Sequence, residues 1–150
     1  MQKPDLESEA WVRGNLAQIW PVHLAGFTRL LGALRQAVGG DLDLVLILAV
    51  IADRTPREAW SKRLSPSGRL TRGNPERVWQ EPINVQSIAD SCGIPKETVR
   101  RKVNELVKRG WIARDRSGYL SVTPQAARAL KAETEASISY LAALRSTLME

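Results

Sequence analysis

Apolar residues recur at spacings of three and four between residues 8 and 38, which is the spacing of one face of an α-helix. The set comprises Leu16, Ile19, Trp20, Leu24, Phe27, Leu30, Leu31 and Leu34. Ser8 is placed to cap this helix, and the Gly39-Gly40 pair is placed to end it. Pro21 removes one backbone donor and predicts a kink in the turn before it. The pattern therefore predicts one long, kinked N-terminal helix.

The next stretch, residues 42–52, is apolar on nearly every side, which is typical of a helix in the middle of a core. Asp41 is its predicted cap. A threonine-proline pair then predicts either a kink or a short new helix over residues 56–64. Residues 65–82 carry frequent Ser, Pro and Gly between arginines and predict an irregular basic surface loop. In a chain treated as one domain, we expect residues 8–64 to supply helices for the core and for dimerisation.

From residue 83 onward the pattern becomes regular. The predicted elements are a helix over 85–91 capped by Asn84, a helix over 95–109, strands over 111–114 and 119–122, and a helix over 124–149 that begins at Thr123-Pro124. The two strands are joined by a loop that contains Gly118, as in a β-hairpin. The expected fold class is mainly α with a small β-hairpin (α+β), flanked by long N- and C-terminal helices.

Positive charge is concentrated in two parts of this chain, whose net charge is +6. Residues 95–116 hold eight Lys/Arg against three Asp/Glu, a net charge of +5, and residues 54–77 also reach +5. A basic block on a folded element attracts polyanions such as nucleic acid. The alternative interpretation is an ordinary solvated face.

Three residues in the predicted helices 85–91 and 95–109 and in the turn between them have the spacing of a helix-turn-helix. Ala89 is small enough for a close helix crossing, Gly93 permits a positive φ at the turn, and Val99 seals the pair from the second helix. With the hairpin that follows, residues 83–123 resemble the winged helix-turn-helix family of DNA-binding proteins.

The helices on either side of this segment resemble those of MarR-type bacterial transcriptional regulators. That resemblance implies a homodimer joined by the first and last helices, here within 8–64 and 124–150, and allows a small-molecule effector of unknown identity. The long loop 65–82 departs from the compact MarR pattern.

The resemblance implies double-stranded DNA as the partner and the second helix, 95–109, as the recognition helix. At 100° per residue, Arg101, Asn104 and Lys108 lie opposite the apolar positions of that helix. Arginine can donate two bonds to guanine, and asparagine can pair with adenine. The predicted DNA contacts are Lys96 and Thr98 on phosphate at the helix start, Arg100, Arg101, Asn104 and Lys108 along it, and Arg114 and Arg116 in the wing.

The sequence gives less support to classes of protein other than a DNA-binding regulator. His23 and Cys92 are the single histidine and cysteine, so the sequence suggests no Cys/His metal cluster, and no phosphate-binding glycine loop is recognisable. We expect no enzyme activity, no cofactor, no membrane association and a cytoplasmic location. Two alternatives to a transcriptional regulator stay open: a DNA-binding accessory factor in phage or plasmid replication or maintenance, and a winged-helix module that binds protein.

Overall fold

A computed structural model describes residues 5–55 and 82–149, and these fall into two compact units. We call residues 5–33 and 132–149 the terminal unit, and residues 34–55 and 82–131 the recognition unit. The elements are α1 (Leu6–Gly14), α2 (Leu16–Ala37), α3 (Leu42–Ala52), α4 (Val85–Cys92), α5 (Lys96–Lys108), β1 (Ile112–Arg114), β2 (Leu120–Val122), α6 (Pro124–Ala129) and α7 (Lys131–Leu148). This mainly helical fold with one small antiparallel sheet confirms the predicted fold class. The predicted helix at 56–64 and nearly all of the predicted loop at 65–82 lie outside the described residues.

The N-terminal helix predicted as one piece is divided at Asn15. The side chain of Asn15 donates to the carbonyl of Trp11 at 2.8 Å, and its own carbonyl accepts from the backbone N–H groups that begin α2. An Asn side chain that bonds to the backbone in this way competes with helix continuation. The interruption therefore lies six residues before Pro21, which is inside α2.

The predicted cap Ser8 is also wrong. Asp5 is the N-cap of α1, and its carboxylate accepts from the backbone N–H of Ser8 at 2.7 Å. This bond holds the pKa of Asp5 below its ordinary value. Since Leu6 and Glu7 have helical conformation, the cap position moves back to the acid that precedes them.

The C-terminal helix, predicted as continuous from 124 to 149, is divided at Leu130. Its predicted start is confirmed, because the Thr123 hydroxyl accepts from the backbone N–H of Ala126 and Pro124 occupies the first turn. Leu130 has φ −102° and ψ 25°, outside the helical region, so α6 ends there and α7 begins at the next residue.

The recognition unit contains a continuous hydrophobic core beneath α3, α4, α5 and the hairpin. Asp41 caps α3 as predicted, with its carboxylate accepting from the N–H of Asp43 at 3.2 Å. The helix predicted to lie in the middle of the core is buried on one side only: Leu44, Ile47, Leu48 and Ile51 are buried, whereas Leu46 is 43% exposed. This core fixes the face that α5 turns outward.

The terminal unit is organised differently, because its described residues include one buried hydrophobic side chain, that of Ile19. Within the unit, α2 and α7 approach closely where Gly26 meets the ring of Tyr140. The Tyr140 hydroxyl is hydrogen-bonded to Nδ1 of His23 at 2.5 Å, and the His23 ring stacks on Phe27. Gly26 thus permits the contact, and a polar and aromatic cluster of His23, Phe27 and Tyr140 fixes it.

Candidate nucleic-acid interface

The turn between α4 and α5 has the geometry that its glycine predicts. Gly93 has φ 68°, in the left-handed region where a side chain is strained, and its N–H bonds to the carbonyl of Ala89 at 3.0 Å. Asn84 caps α4 by accepting from the N–H of Ser87 at 3.0 Å, as predicted. Together these bonds set where α5 begins.

The two faces of α5 are sharply different. The buried side holds Val99, Val103 and Leu106, each with an exposed fraction of 0%. Three residues of the predicted DNA-contacting set are exposed on the other side: Arg101, Asn104 and Lys108. This is the amphipathic arrangement of a helix that packs on its own core and presents polar groups to a partner.

The first turn of α5 contains Lys96, which is exposed, and Thr98, which is half-buried. The N-cap position is occupied by Pro95, whose side chain has no hydrogen-bond acceptor. The first backbone N–H groups of α5 are therefore not capped by that residue. Such a helix start, with a nearby lysine and hydroxyl, suits a phosphate oxygen.

Arg100 differs from the other predicted contacts because it already has an acidic partner. Its guanidinium lies 2.7 Å from the carboxylate of Glu97, and both side chains are well exposed. The bond lowers the pKa of Glu97 and raises that of Arg100, with a smaller lowering of the Glu97 pKa from Arg101. Glu97 is thus held ionised and neutralised beside the basic face.

Lys102 was not among the predicted site residues, and the structure gives it a distinct role. Its side chain is 11% exposed and pairs with the carboxylate of Asp41, with Asp43 3.7 Å away. The hydrogen bond from Lys102 is the main cause of a lowered pKa at Asp41. The pair ties α5 to the start of α3. A signal was present in the sequence, since Lys102 falls three residues after Val99 on the flank of the buried face.

Arg109 also has interaction partners within the recognition unit. It donates to the carboxylate of Glu105 at 2.8 Å and lies 5.3 Å from the ring centre of the buried Trp111. Cation–π contact of this kind packs the end of α5 against the base of the hairpin.

The hairpin forms a short wing whose strands pair antiparallel with Ala113 opposite Ser121. Ile83 adds one backbone bond, accepting from the N–H of Leu120 at 3.0 Å. At the turn, the carboxylate of Asp115 accepts from two backbone N–H groups, 2.8 and 2.9 Å away. The acid at the wing turn is therefore used within the turn.

The two arginines predicted to act in the wing differ in their contacts. Arg114, on β1, donates to the side-chain oxygen of Asn104 at 3.0 Å, which joins the wing to the recognition helix. Arg116 is exposed in the turn. Asn104 and Arg114 belong to separate predicted elements, and the sequence does not predict the contact between them.

A subset of the cations between residues 95 and 116 makes no ion pair or hydrogen bond with other side chains in the part of the chain that the structure describes. That subset is Lys96, Arg101, Lys108 and Arg116. All of them belong to the predicted contacts. The three acids of the same block are engaged by Arg100, by Arg109 and by the wing backbone. The uncompensated charge of this block is therefore positive.

A helix pair joined by a glycine turn, with a wing that contacts the second helix, is the geometry of a winged helix-turn-helix domain, a fold that many DNA-binding proteins use. Residues 76–125 match the family model of the DeoR-like helix-turn-helix domain. The match supports a DNA-binding transcriptional regulator and assigns to these residues a DNA-binding regulatory domain rather than a catalytic one. No curated protein and no solved structure matches the chain significantly.

Two further observations concern the described residues alone. None of their helices is long and apolar enough to cross a membrane. Over residues 5–55 and 82–149, no three His, Cys, Asp or Glu side chains are grouped as a metal site requires.

Proposed function

We propose that the protein is a dimeric, sequence-specific regulator of transcription that binds double-stranded DNA through α5 and the wing. The observation that carries the proposal is the outward face of α5, where Arg101 and Lys108 are exposed and form no ion pair among the described residues. A helix of this width and charge fits the major groove. The buried Val99 and Val103 on the other face hold it in position.

The proposed contacts divide by chemistry. The start of α5, with Lys96 and Thr98, binds phosphate and fixes the register on the duplex. Arg101 and Asn104 lie further along the helix and read base edges. Arg116, in the wing turn, binds a phosphate or the minor groove beside the recognition helix, where the potential is most negative.

The first test is the salt dependence of binding to a random duplex. Each phosphate contact contributes a slope of about −0.9 in a plot of log affinity against log salt. The four cations without a side-chain partner, together with Arg114, whose amide partner is neutral, therefore predict a steep negative slope, measured by fluorescence anisotropy from low to physiological salt. An affinity that does not change with salt contradicts the proposal and favours the alternative of a protein-binding winged helix.

The second test separates base reading from backbone binding, with two arginines of the same surface as a matched pair. Arg101→Ala should lower the preference for the selected site over random DNA by a factor that corresponds to roughly 1–3 kcal/mol. Arg116→Ala should lower the affinity for both duplexes by similar factors and make the salt dependence less steep. Both side chains are exposed, so circular dichroism should show unchanged folding. A specificity ratio that Arg101→Ala leaves intact contradicts the placement of α5 in the major groove.

The dimer belongs to the same proposal and follows the MarR-type arrangement, in which terminal helices join two chains. It is supported by an exposed apolar stripe on α2 within the terminal unit: Trp20, Leu24, Phe27 and Leu31, between 36% and 50% exposed. A contiguous apolar surface is typical of an association site. Two chains would present two recognition helices to half-sites about one helical turn apart. Sedimentation velocity tests this, and a 16.7 kDa species at micromolar concentration contradicts it.

A regulator that acts on bacterial DNA would work in the cytoplasm and would need no catalytic residue, and both statements are part of the proposal. Comparing DNA fragments recovered from cells with those selected in vitro tests the regulatory role. Fragments clustered upstream of genes support transcription control, whereas fragments confined to a replication origin favour the accessory factor.

A further inference from the structure

The contact between α5 and the wing has a direct consequence for how the surface reads DNA. Nη2 of Arg114 donates to Oδ1 of Asn104 at 3.0 Å, and both side chains are exposed. Asn104 lies on the outward face of α5, where a base edge would be met. Arg114 is the residue of β1 paired with Leu120, whose side chain is buried. The guanidinium therefore extends from a strand that is anchored in the recognition unit.

The chemistry of the two groups fixes the orientation of the amide. A guanidinium has five N–H donors and no acceptor, so only the oxygen of Asn104 can face it. The usual ambiguity between the oxygen and nitrogen of an asparagine side chain is thereby resolved. With one of the two lone pairs of that oxygen used by Arg114, the Nδ2 amino group supplies the larger part of the hydrogen-bonding capacity that the amide has left for a partner.

The Asn104–Arg114 pair consequently presents mainly hydrogen-bond donors to a base edge. Two N–H bonds of Asn104 Nδ2 and the remaining N–H groups of Arg114 lie side by side. In the major groove guanine offers two acceptors, N7 and O6, whereas adenine offers one acceptor and the donor N6 amino group. A free asparagine pairs with adenine because it supplies one acceptor and one donor. An asparagine whose oxygen already accepts from arginine matches guanine better.

We propose that Asn104 and Arg114 act as one reading unit that selects guanine over adenine at one base pair of each half-site. Arg114 is thus a positioning residue that sets the specificity of Asn104, in addition to any contact of its own. This proposal rests on the proposed DNA-binding function and adds to it the base that the site prefers.

The experiment is selection of a randomised duplex library by the full chain, followed by sequencing, with wild type, Asn104→Ala, Arg114→Ala and the double variant. Wild type should enrich guanine at a position where Asn104→Ala relaxes the preference. Arg114→Ala should move that position toward adenine, changing the guanine-to-adenine ratio about tenfold. The double variant should show no base preference there, because both members of the reading unit are removed.

Arg116→Ala is the matched control, since it removes an exposed wing arginine that does not contact Asn104. It should weaken overall binding and leave the base preference at this position unchanged. Circular dichroism of each variant checks that the fold is retained.

The inference is overturned if wild type prefers adenine at the position that depends on Asn104, or if no position depends on Asn104. It is also overturned if Arg114→Ala keeps the wild-type preference at that position. The proposed function fails in a different way, when wild type retains no duplex or enriches no sequence at all. A wild-type motif with an unaltered Arg114→Ala motif rejects the reading unit and leaves the DNA-binding regulator intact.

Discussion

The recognition unit and the terminal unit place their apolar side chains in opposite ways. The recognition unit encloses fifteen buried hydrophobic residues in one cluster, from Val38 to Ala126. The described part of the terminal unit encloses Ile19 and leaves most large apolar side chains of α2 partly in water. The difference indicates that the first unit is stabilised by its own packing, and that the second leaves apolar area exposed, as the proposed dimer requires. Apolar patterning alone does not distinguish these two uses, because both give a stripe on a helix.

The strongest test of this contrast compares one leucine from each unit. Leu106→Ala removes a side chain that is 0% exposed and should lower the free energy of unfolding by about 2–5 kcal/mol. Leu141→Ala removes a side chain that is 61% exposed and should change it by less than about 0.5 kcal/mol in dilute protein. Urea denaturation measures both. Equal losses would show that the two units do not differ in the way described.

The proposed dimer gives the next largest effect. Leu24→Glu places a charge in the exposed stripe of α2 and should weaken self-association at least about tenfold, because an unpaired carboxylate is costly to bury. Gln18→Glu adds the same charge to an exposed position on the other side of α2 and is the matched control. Analytical ultracentrifugation over a concentration series gives both dissociation constants. A Leu24→Glu protein that associates like the control argues that the stripe is not the interface.

Two glycines of α2 test how closely the terminal unit is packed. A Cβ at Gly26 would overlap the ring of Tyr140, whereas a Cβ at Gly32 meets no atom within 4 Å. Gly26→Ala should therefore destabilise the protein by roughly 1–3 kcal/mol. Gly32→Ala should stabilise it by roughly 0.5–1 kcal/mol, since alanine favours the helix. Thermal unfolding followed by circular dichroism gives both signs, and a stabilising Gly26→Ala would contradict the α2–α7 contact.

The smallest expected effect is the pH dependence of the Asp41–Lys102 pair in the recognition unit. The folded-state pKa of Asp41 lies below its ordinary value of 3.8. Its carboxylate therefore stabilises the fold above about pH 4, and this contribution is lost as pH falls through the lowered pKa. Because Asp41 is 37% exposed, the contribution should stay below about 1 kcal/mol.

Urea denaturation between pH 6 and pH 2.5 measures this difference. Asp41→Asn should be less stable than wild type at pH 6 and approach it at the acidic end. Lys102→Met, which removes the partner, should reduce the same acid-dependent loss. A gap between wild type and Asp41→Asn that stays constant with pH would show that the ion pair does not contribute.

The features of the fold that could be predicted from the sequence are those that require a particular residue type locally. A left-handed turn requires glycine at 93, and α3, α4 and α6 begin at side chains that can accept a backbone N–H, those of Asp41, Asn84 and Thr123. The buried face of α5 followed from its periodicity. Each of these features is set by residues within a few positions of one another.

The features that the sequence does not predict are breaks within helices and contacts between residues that are distant along the chain. The breaks at Asn15 and Leu130 interrupt patterns that continue on both sides, so periodicity does not reveal them. Lys102 pairs with Asp41, which is sixty-one residues away in the sequence, so the pair is specified only by the folded chain. The meeting of Asn104 with Arg114 likewise depends on the angle at which the wing leaves α5.

The closure of the wing at its base bears on how this surface can change in evolution. The Thr123 backbone N–H bonds to the carbonyl of Trp111 at 2.9 Å, its hydroxyl donates to the carbonyl of Gly110, and its side chain also caps α6. One residue thus closes the hairpin and starts the next helix. The turn from 115 to 119 hangs beyond this closure and can gain, lose or exchange residues without disturbing the core. Under the proposed function, changes in the wing turn can therefore alter the strength of DNA binding, while the scaffold that holds the base-reading residues of α5 and β1 is inherited unchanged.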